Sequence, residues 1–196
     1  MAMTSAFQEL RDKLLELHSS VRELAVSVAE DKPLDGDVLL ADRLSDTVQD
    51  LQGWLDEALS AADTAHQVTI HPADLETARQ CLVNCQERFG VFTQRFVSEL
   101  AQYDRLAELM QLGHERKGEW QAWARIVRGN IERCQFPLHE ITQTLFRCWQ
   151  ELADQSSKQF ISVKTNGIGN QINHSVPATT TTPSTLERKT RLAEVS

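Results

Sequence analysis

Apolar residues recur at alternating steps of four and three along residues 120–152, without a break. This spacing is typical of a helix that packs lengthwise against other helices. An isolated helix of this kind would leave a long apolar stripe in water, so the pattern predicts partner helices of similar length. The stripe consists of Trp120, Ala124, Val127, Ile131, Cys134, Leu138, Ile141, Leu145, Cys148 and Leu152.

Three earlier segments carry the same pattern, which we call an apolar seam. The first begins with an S-x-x-Q capping box at Ser5 and Gln8, a common start of a helix. Short connections force consecutive helices to lie antiparallel. The sequence therefore predicts an all-α fold, an elongated antiparallel four-helix bundle of coiled-coil hairpins over residues 1–155. The predicted helices span about 5–30, 36–63, 72–112 and 115–154.

Two positions disturb the seams of the third and fourth helices. After Phe96 the apolar positions slip by one residue, which predicts a local change in coiling without an end of the helix. Pro137 removes one helical hydrogen bond. Because the seam keeps its phase through Pro137, we favour one kinked helix, and two separate helices are the alternative. Beyond Phe96 the predicted seam continues with Leu100, Tyr103, Ala107 and Met110.

The predicted helices differ in length. At 1.5 Å per residue the first two are about 40 Å long and the last two about 60 Å, so the second hairpin would overhang by about 20 Å. Exposed aromatic and methionine side chains at such a tip would mark an interface. A small core that closes the tip is the alternative. The candidate partner-binding residues are Tyr103, Met110, Trp120 and Trp123.

Residues 156–196 differ in composition from the helical part. They are rich in Ser, Thr, Asn and Gly and carry five basic and two acidic residues, a local charge of +3. Such a segment contains too little apolar surface to offset the entropy cost of ordering. We expect a flexible, mostly disordered tail.

Charge and hydropathy narrow the functional classes. The net charge is -8, which disfavours general affinity for nucleic acid or anionic membranes. No uncharged apolar run is long enough to span a bilayer. The first residues lack the pattern of a secretory signal, so we expect a cytoplasmic protein with reduced cysteines.

Three cysteines are weak candidates for metal or redox chemistry. Cys81 and Cys85 share a helical face, and counting from the turn near Glu115 places Cys81 level with Cys148. Their spacing is not that of a zinc site, and Cys also serves as a small buried apolar residue. Packing is therefore the favoured interpretation, with no metal or cofactor predicted.

The sequence contains no catalytic motif that we recognise, neither a phosphate-binding loop nor a nucleophile elbow. We therefore expect a non-enzymatic protein–protein interaction module, such as an adaptor, an assembly component or a regulatory subunit. Its partner would be another protein, and homo-oligomers are left open. The alternatives are a thiol-based redox sensor or metal binder, and a membrane-active, toxin-like bundle, which the negative charge disfavours.

Overall fold

A computed structural model describes residues 5–29, 38–69, 74–101, 103–111 and 118–169. These residues contain helices and short turns but no strand. The elements are α1 (Ala6–Ala29), α2 (Val38–Thr69), α3 (Leu75–Arg95), a π-helical segment (Phe96–Ala101), α4 (Asp104–Gln111), α5 (Gly118–Gln135) and α6 (Leu138–Gly169).

The helices form one bundle over residues 1–159. Helix α1 packs against α2 and α5, α2 against α3, and α4 against α5. Hydrogen bonds also join α6 to α1 and to α3. Helix α2 runs antiparallel to α1, since early Arg11 pairs with late Asp63. Helix α3 runs antiparallel to α2, since Glu57 lies about as far before the end of α2 as its partner Arg88 lies after the start of α3. The predicted all-α bundle is confirmed. Residues 160–196 form a second unit, of which only the helical backbone of 160–169 is described.

The predicted seams form the core. All ten seam residues from Trp120 to Leu152 are buried, and so is the α1 seam from Phe7 to Val28. Burial follows from the period itself, because steps of three and four return each apolar side chain to the same face of its helix. The seam of α2 ends in Ala58, Ala62 and Ala65, which are all buried against α3 and the rest of the core.

The phase slip after Phe96 coincides with the π-helical segment. A π turn holds one residue more than an α turn, so it advances the chain without rotating the buried face away from the core. Phe96 and Leu100 are both buried there. The prediction of an uninterrupted helix was wrong, because α4 starts afresh at Asp104. Its buried residues are Leu106 and Leu109, instead of the predicted Ala107 and Met110.

Pro137 separates α5 from α6. The helix stops at Gln135 and resumes at Leu138, and the amide of Ile141 donates to the carbonyl of Pro137 at 3.0 Å. The structure thus has the two helices of the alternative interpretation, while the apolar seam keeps its phase across the break, as predicted. Cys134, Leu138 and Ile141 are all buried.

Two helices extend beyond their predicted ends. Helix α2 has 32 residues and continues to Thr69, although we predicted a loop from Thr64. Helix α6 continues to Gly169, although we predicted a tail from Ser156. Residues 170–196 of that tail lie outside the described part of the chain. Helix α3, the π-helical segment and α4 together span Leu75 to Gln111. At 1.5 Å per residue this span is about 8 Å longer than α2.

Candidate functional site

The four residues predicted to bind a partner lie at the tip of the bundle, and most of their surface is covered. Trp120 is 5 % exposed and Trp123 is 2 % exposed, while Tyr103 and Met110 are half-buried against the core. The two indoles meet edge to face, with ring centroids 5.2 Å apart. This matches the alternative of a small core that closes the tip. A partner-binding role for the four residues stays a prediction.

The tip is covered because α1 reaches it. The indole N–H of Trp123 donates to the backbone carbonyl of Ser27 at 3.0 Å, in a buried position near the end of α1. Ser27 itself donates through its hydroxyl to Leu24. The expected overhang of about 20 Å assumed a shorter α2 and a longer third helix than those observed. The Trp123–Ser27 hydrogen bond places the last turn of α1 beside the indole of Trp123.

The cysteines are arranged for packing. Cys85, Cys134 and Cys148 are buried, Cys81 is half-buried, and all four are free thiols. Burial raises the pKa of Cys85, Cys134 and Cys148 to about 12 in each case. Such thiols remain protonated at neutral pH, whereas the thiolate is the form that attacks disulfides and binds metals.

We predicted that Cys81 lies level with Cys148, whereas Cys85 is the cysteine whose charge affects Cys148. A thiolate at Cys85 would disfavour ionisation of the Cys148 thiol and so raises its pKa, in addition to the larger effect of burial. Within the described residues, no group of three or more His, Cys, Asp or Glu side chains could hold a metal ion. The described cysteines therefore give no support to the metal or redox alternative.

Ion pairs border the interfaces of α1 with both of its neighbours. Arg11 Nε lies 2.7 Å from Asp63 on α2. On the other side Arg147 of α6 makes two hydrogen bonds to Glu9, at 2.7 and 2.8 Å. This pairing lowers the pKa of Glu9, through the hydrogen bonds from Arg147 and the positive charges of Arg147 and Lys13, against a smaller effect of burial. Further pairs at these two interfaces are His18–Asp56, Lys13–Glu140 and Arg133–Glu23.

The interface of α2 with α3 is also bordered by charge. Arg88 Nε lies 2.9 Å from Glu57, and its guanidinium stands 5.2 Å from the ring centre of Trp54. A cation over an indole face is attracted by the negative charge density of the ring. The interfaces of α1 with α2, of α1 with α5 and α6, and of α2 with α3 thus carry ionic contacts between helices.

The interface between α3 and α6 carries no ion pair among the residues described. A groove of about 510 Å³ follows it, and every residue that lines it is uncharged. The four other grooves described on this surface each contain at least three charged side chains. The lining of this groove, which we call the α3–α6 groove, is Gln86, Phe89, Gly90, Thr93, Gln94, Thr142, Leu145, Phe146 and Trp149.

Aromatic side chains dominate the groove. Phe146 rises from α6 with 64 % of its surface exposed, and Trp149 beside it is half-buried. The indole N–H of Trp149 donates to the side-chain carbonyl of Gln86 at 2.8 Å, which ties α6 to α3 across the groove. Phe89 and Leu145 are buried and form the floor.

The floor of the groove is continuous with a row of stacked rings. Phe89 lies 6.1 Å from Phe92, and Phe92 lies 5.8 Å from Phe96, with interplanar angles of 16° and 19°. The hydroxyls of Thr93 and Thr142 donate to carbonyls one turn back on their own helices, at 2.9 Å. The hydroxyl protons of Thr93 and Thr142 are therefore engaged within the chain, while their oxygens can still accept hydrogen bonds.

We did not select this groove from the sequence. Phe146 follows the seam residue Leu145 and so lies about 100° round the helix from it, where a polar residue is usual. A large aromatic at an outward position, with Thr142 and Gln143 nearby, was the available signal. The residues facing it on α3 depend on the register of the two helices, which the seams alone do not define.

No described helix is long and apolar enough to cross a membrane. No family model matches the chain, and no curated protein or solved structure is significantly similar to it.

Proposed function

We propose that this protein is a non-enzymatic protein–protein interaction module and that the α3–α6 groove is its contact surface. The observation that supports this proposal is the exposed Phe146 beside half-buried Trp149 in a groove without charged side chains. The centres of protein interfaces are depleted of charge and enriched in aromatic residues. Hot spots of binding energy are likewise enriched in Trp and Tyr, and lie in pockets that exclude water.

The exposed surface of Phe146 allows an estimate of the binding free energy that a partner could gain there. A phenylalanine offers about 200 Å² for burial, and 64 % of Phe146 is in contact with water. Covering that part would contribute about 3 kcal/mol at 25 cal/mol per Å². This gain is absent from the isolated bundle and becomes available only when another chain covers the ring.

The structure offers a matched control for the test. Phe136 is 84 % exposed and lies in a different groove, among Glu16, Arg133 and Glu140. Phe136 is the same residue type, in the turn just before α6, but it has charged neighbours. The test compares the proteins that bind to Phe146→Asp and to Phe136→Asp. Each variant is expressed in the cells that naturally contain the protein and is purified together with what it binds.

We expect that the wild type and Phe136→Asp retain a protein partner that Phe146→Asp loses, and that the purified partner reproduces this result. Retention by all three proteins, or equal loss from both variants, would contradict the proposal. A Met110→Asp variant tests the tip, because Met110 keeps part of its surface exposed there. Selective loss of the partner from that variant would assign the contact to the tip instead.

A further inference from the structure

We propose that the occupant of the α3–α6 groove is a second copy of this chain, which packs groove against groove around a two-fold axis. This inference rests on the proposed function, since it names the partner of the same surface. In a two-fold interface, residue i of one copy contacts residue j of the other, and j contacts i. A surface that pairs with itself must therefore present a protrusion and a matching recess at symmetric positions.

Phe146 and Gly90 form such a set. Both line the groove, Phe146 from α6 and Gly90 from α3. A two-fold axis that lies in the plane between the two facing grooves, midway between these residues and perpendicular to the line that joins them, places Phe146 of each copy over Gly90 of the other. Glycine has no side chain, so the backbone of α3 leaves room there for a ring from outside.

No contact within the described part of the chain requires glycine at position 90. A Cβ built on Gly90 would meet no atom within 4 Å. Glycine in the middle of a helix is unfavourable because it gives up more backbone freedom than other residues. Gly129 has equally open surroundings and lies near the exposed Phe136, which makes this second pair a useful comparison.

Charge distinguishes the two phenylalanine–glycine pairs. The groove of Gly129 and Phe136 contains Glu16, Glu132 and Glu140, with Arg133 as its one basic residue. Two copies that met there would bring these carboxylates together. Like charges placed opposite each other strongly disfavour a contact.

The α3–α6 groove avoids this repulsion. Each copy carries a net charge of -8, so copies repel, and an uncharged groove is the surface that opposes the fewest carboxylates. Its polar side chains are Gln and Thr, which both donate and accept hydrogen bonds. Identical copies of such a surface can therefore form hydrogen bonds with each other.

The size of the groove predicts a weak dimer. Nine residues line it, whereas a standard interface has about 20–30 residues on each side. We expect a dissociation constant in the micromolar range or above. Added salt should strengthen the dimer, because salt screens the repulsion between net charges and favours apolar burial.

Sedimentation equilibrium of the full chain tests the proposal. For the wild type and for Phe136→Asp, we expect the mass to rise from 22.2 kDa toward twice that value as concentration increases. Phe146→Asp should lower the association constant at least tenfold. Gly90→Glu should do the same, and the open space at position 90 lets this variant fold, which circular dichroism checks.

A cross-link tests the axis. In a Cys81→Ser background, which removes the accessible native thiol, mixing Gly90→Cys with Phe146→Cys protein under mild oxidation should give a disulfide-linked dimer, and neither variant alone should give one. A cross-link of Phe146→Cys to itself, a wild type that stays monomeric at several hundred micromolar, or a dimer weakened by salt would overturn the proposal. A monomeric wild type whose other protein partner is lost with Phe146→Asp refutes self-association alone and leaves the proposed function standing.

Discussion

The interfaces of α1 and the interface between α3 and α6 are built in different ways. Around α1 an apolar seam is bordered by ion pairs such as Arg11–Asp63 and Arg147–Glu9. Between α3 and α6 a similar seam is bordered by Gln, Thr and exposed Phe146, and one indole hydrogen bond joins the helices. The comparison shows that charged side chains border the interfaces of α1, whereas uncharged side chains border the described part of the α3–α6 interface.

The ion pairs beside the α1 interfaces contribute more to the choice of which helix faces meet than to the free energy of unfolding. The side chains of Arg147 and Glu9 are 48 % and 34 % exposed, and such pairs contribute about 0–1 kcal/mol each. They nevertheless define which faces of two helices meet, since like charges would oppose other registers. The α3–α6 interface lacks this constraint among the described residues, so apolar burial must stabilise it.

The largest difference in the free energy of unfolding is expected between Leu145→Ala and Arg147→Ala, both on α6. Leu145 is buried in the floor of the groove, so its truncation should lower the free energy of unfolding by about 2–4 kcal/mol. Arg147→Ala should lower it by at most about 1 kcal/mol, because its ion pair is partly exposed. Urea unfolding followed by circular dichroism measures both. Equal losses would show that the two interfaces do not differ in this way.

A second contrast uses two tryptophans that each donate one hydrogen bond between helices. Trp123→Phe leaves the buried carbonyl of Ser27 without its donor and should lower the free energy of unfolding by about 1–3 kcal/mol. Trp149→Phe removes an exposed bond to Gln86 and should cost less than about 1 kcal/mol. Thermal unfolding of the two variants compares them. A greater loss from Trp149→Phe would mean that the α3–α6 interface depends on its polar contact.

Acid should weaken the ionic interfaces and spare the uncharged one. Arg147 lowers the pKa of Glu9 below its ordinary value of 4.5, so the carboxylate stabilises the fold above that pH. This contribution is lost as pH falls through the lowered pKa. Glu9→Gln should therefore be less stable than the wild type at pH 7 by at most about 1 kcal/mol, and the difference should vanish in acid.

Urea midpoints measured for both proteins between pH 7 and pH 3, at low and high salt, check this expectation. Salt should shrink the difference at pH 7, because both side chains are partly exposed to solvent. A difference that grows as the pH falls would contradict the proposed pairing.

The smallest expected difference concerns the rates at which a thiol reagent labels the individual cysteines. Cys85 on α3 and Cys148 on α6 are buried at the uncharged interface, and burial raises the pKa of both to about 12. Ellman's reagent at pH 8 should react readily with half-buried Cys81 and slowly with the other three thiols. Rapid labelling of Cys85 and Cys148 in the native protein would reveal opening of this interface. Full labelling in denaturant serves as the control.

Periodicity predicted the core well because burial in a helix depends on spacing along one chain. Each seam residue of α1, α5 and α6 named from the sequence up to Leu152 is buried. Periodicity predicted the helix ends less well. Ala65 extends the seam of α2 past Thr64, where we expected a loop, and residues after Ser156 remain helical without an apolar seam.

The groove could not be predicted in the same way, because it depends on which helices lie side by side and in which register. A seam shows which face of α6 is buried but not which helix lies beside Phe146. Our count from Glu115 placed Cys81 level with Cys148, whereas the Trp149–Gln86 bond places Cys85 there. A shift of one turn in register would bring different residues of α3 beside Phe146. Only the packed structure supplies that register.

The π-helical segment at Phe96–Ala101 gives this part of the chain one residue that a regular helix would not need. A π turn holds one residue more than an α turn, so deleting one residue here would leave an ordinary α turn with the buried face preserved. Each α-helical residue turns the chain by about 100°, so the same deletion within α3 would instead rotate the residues that follow it away from the core. A single-codon deletion is therefore expected to be tolerated better at this segment than in the regular helix before it.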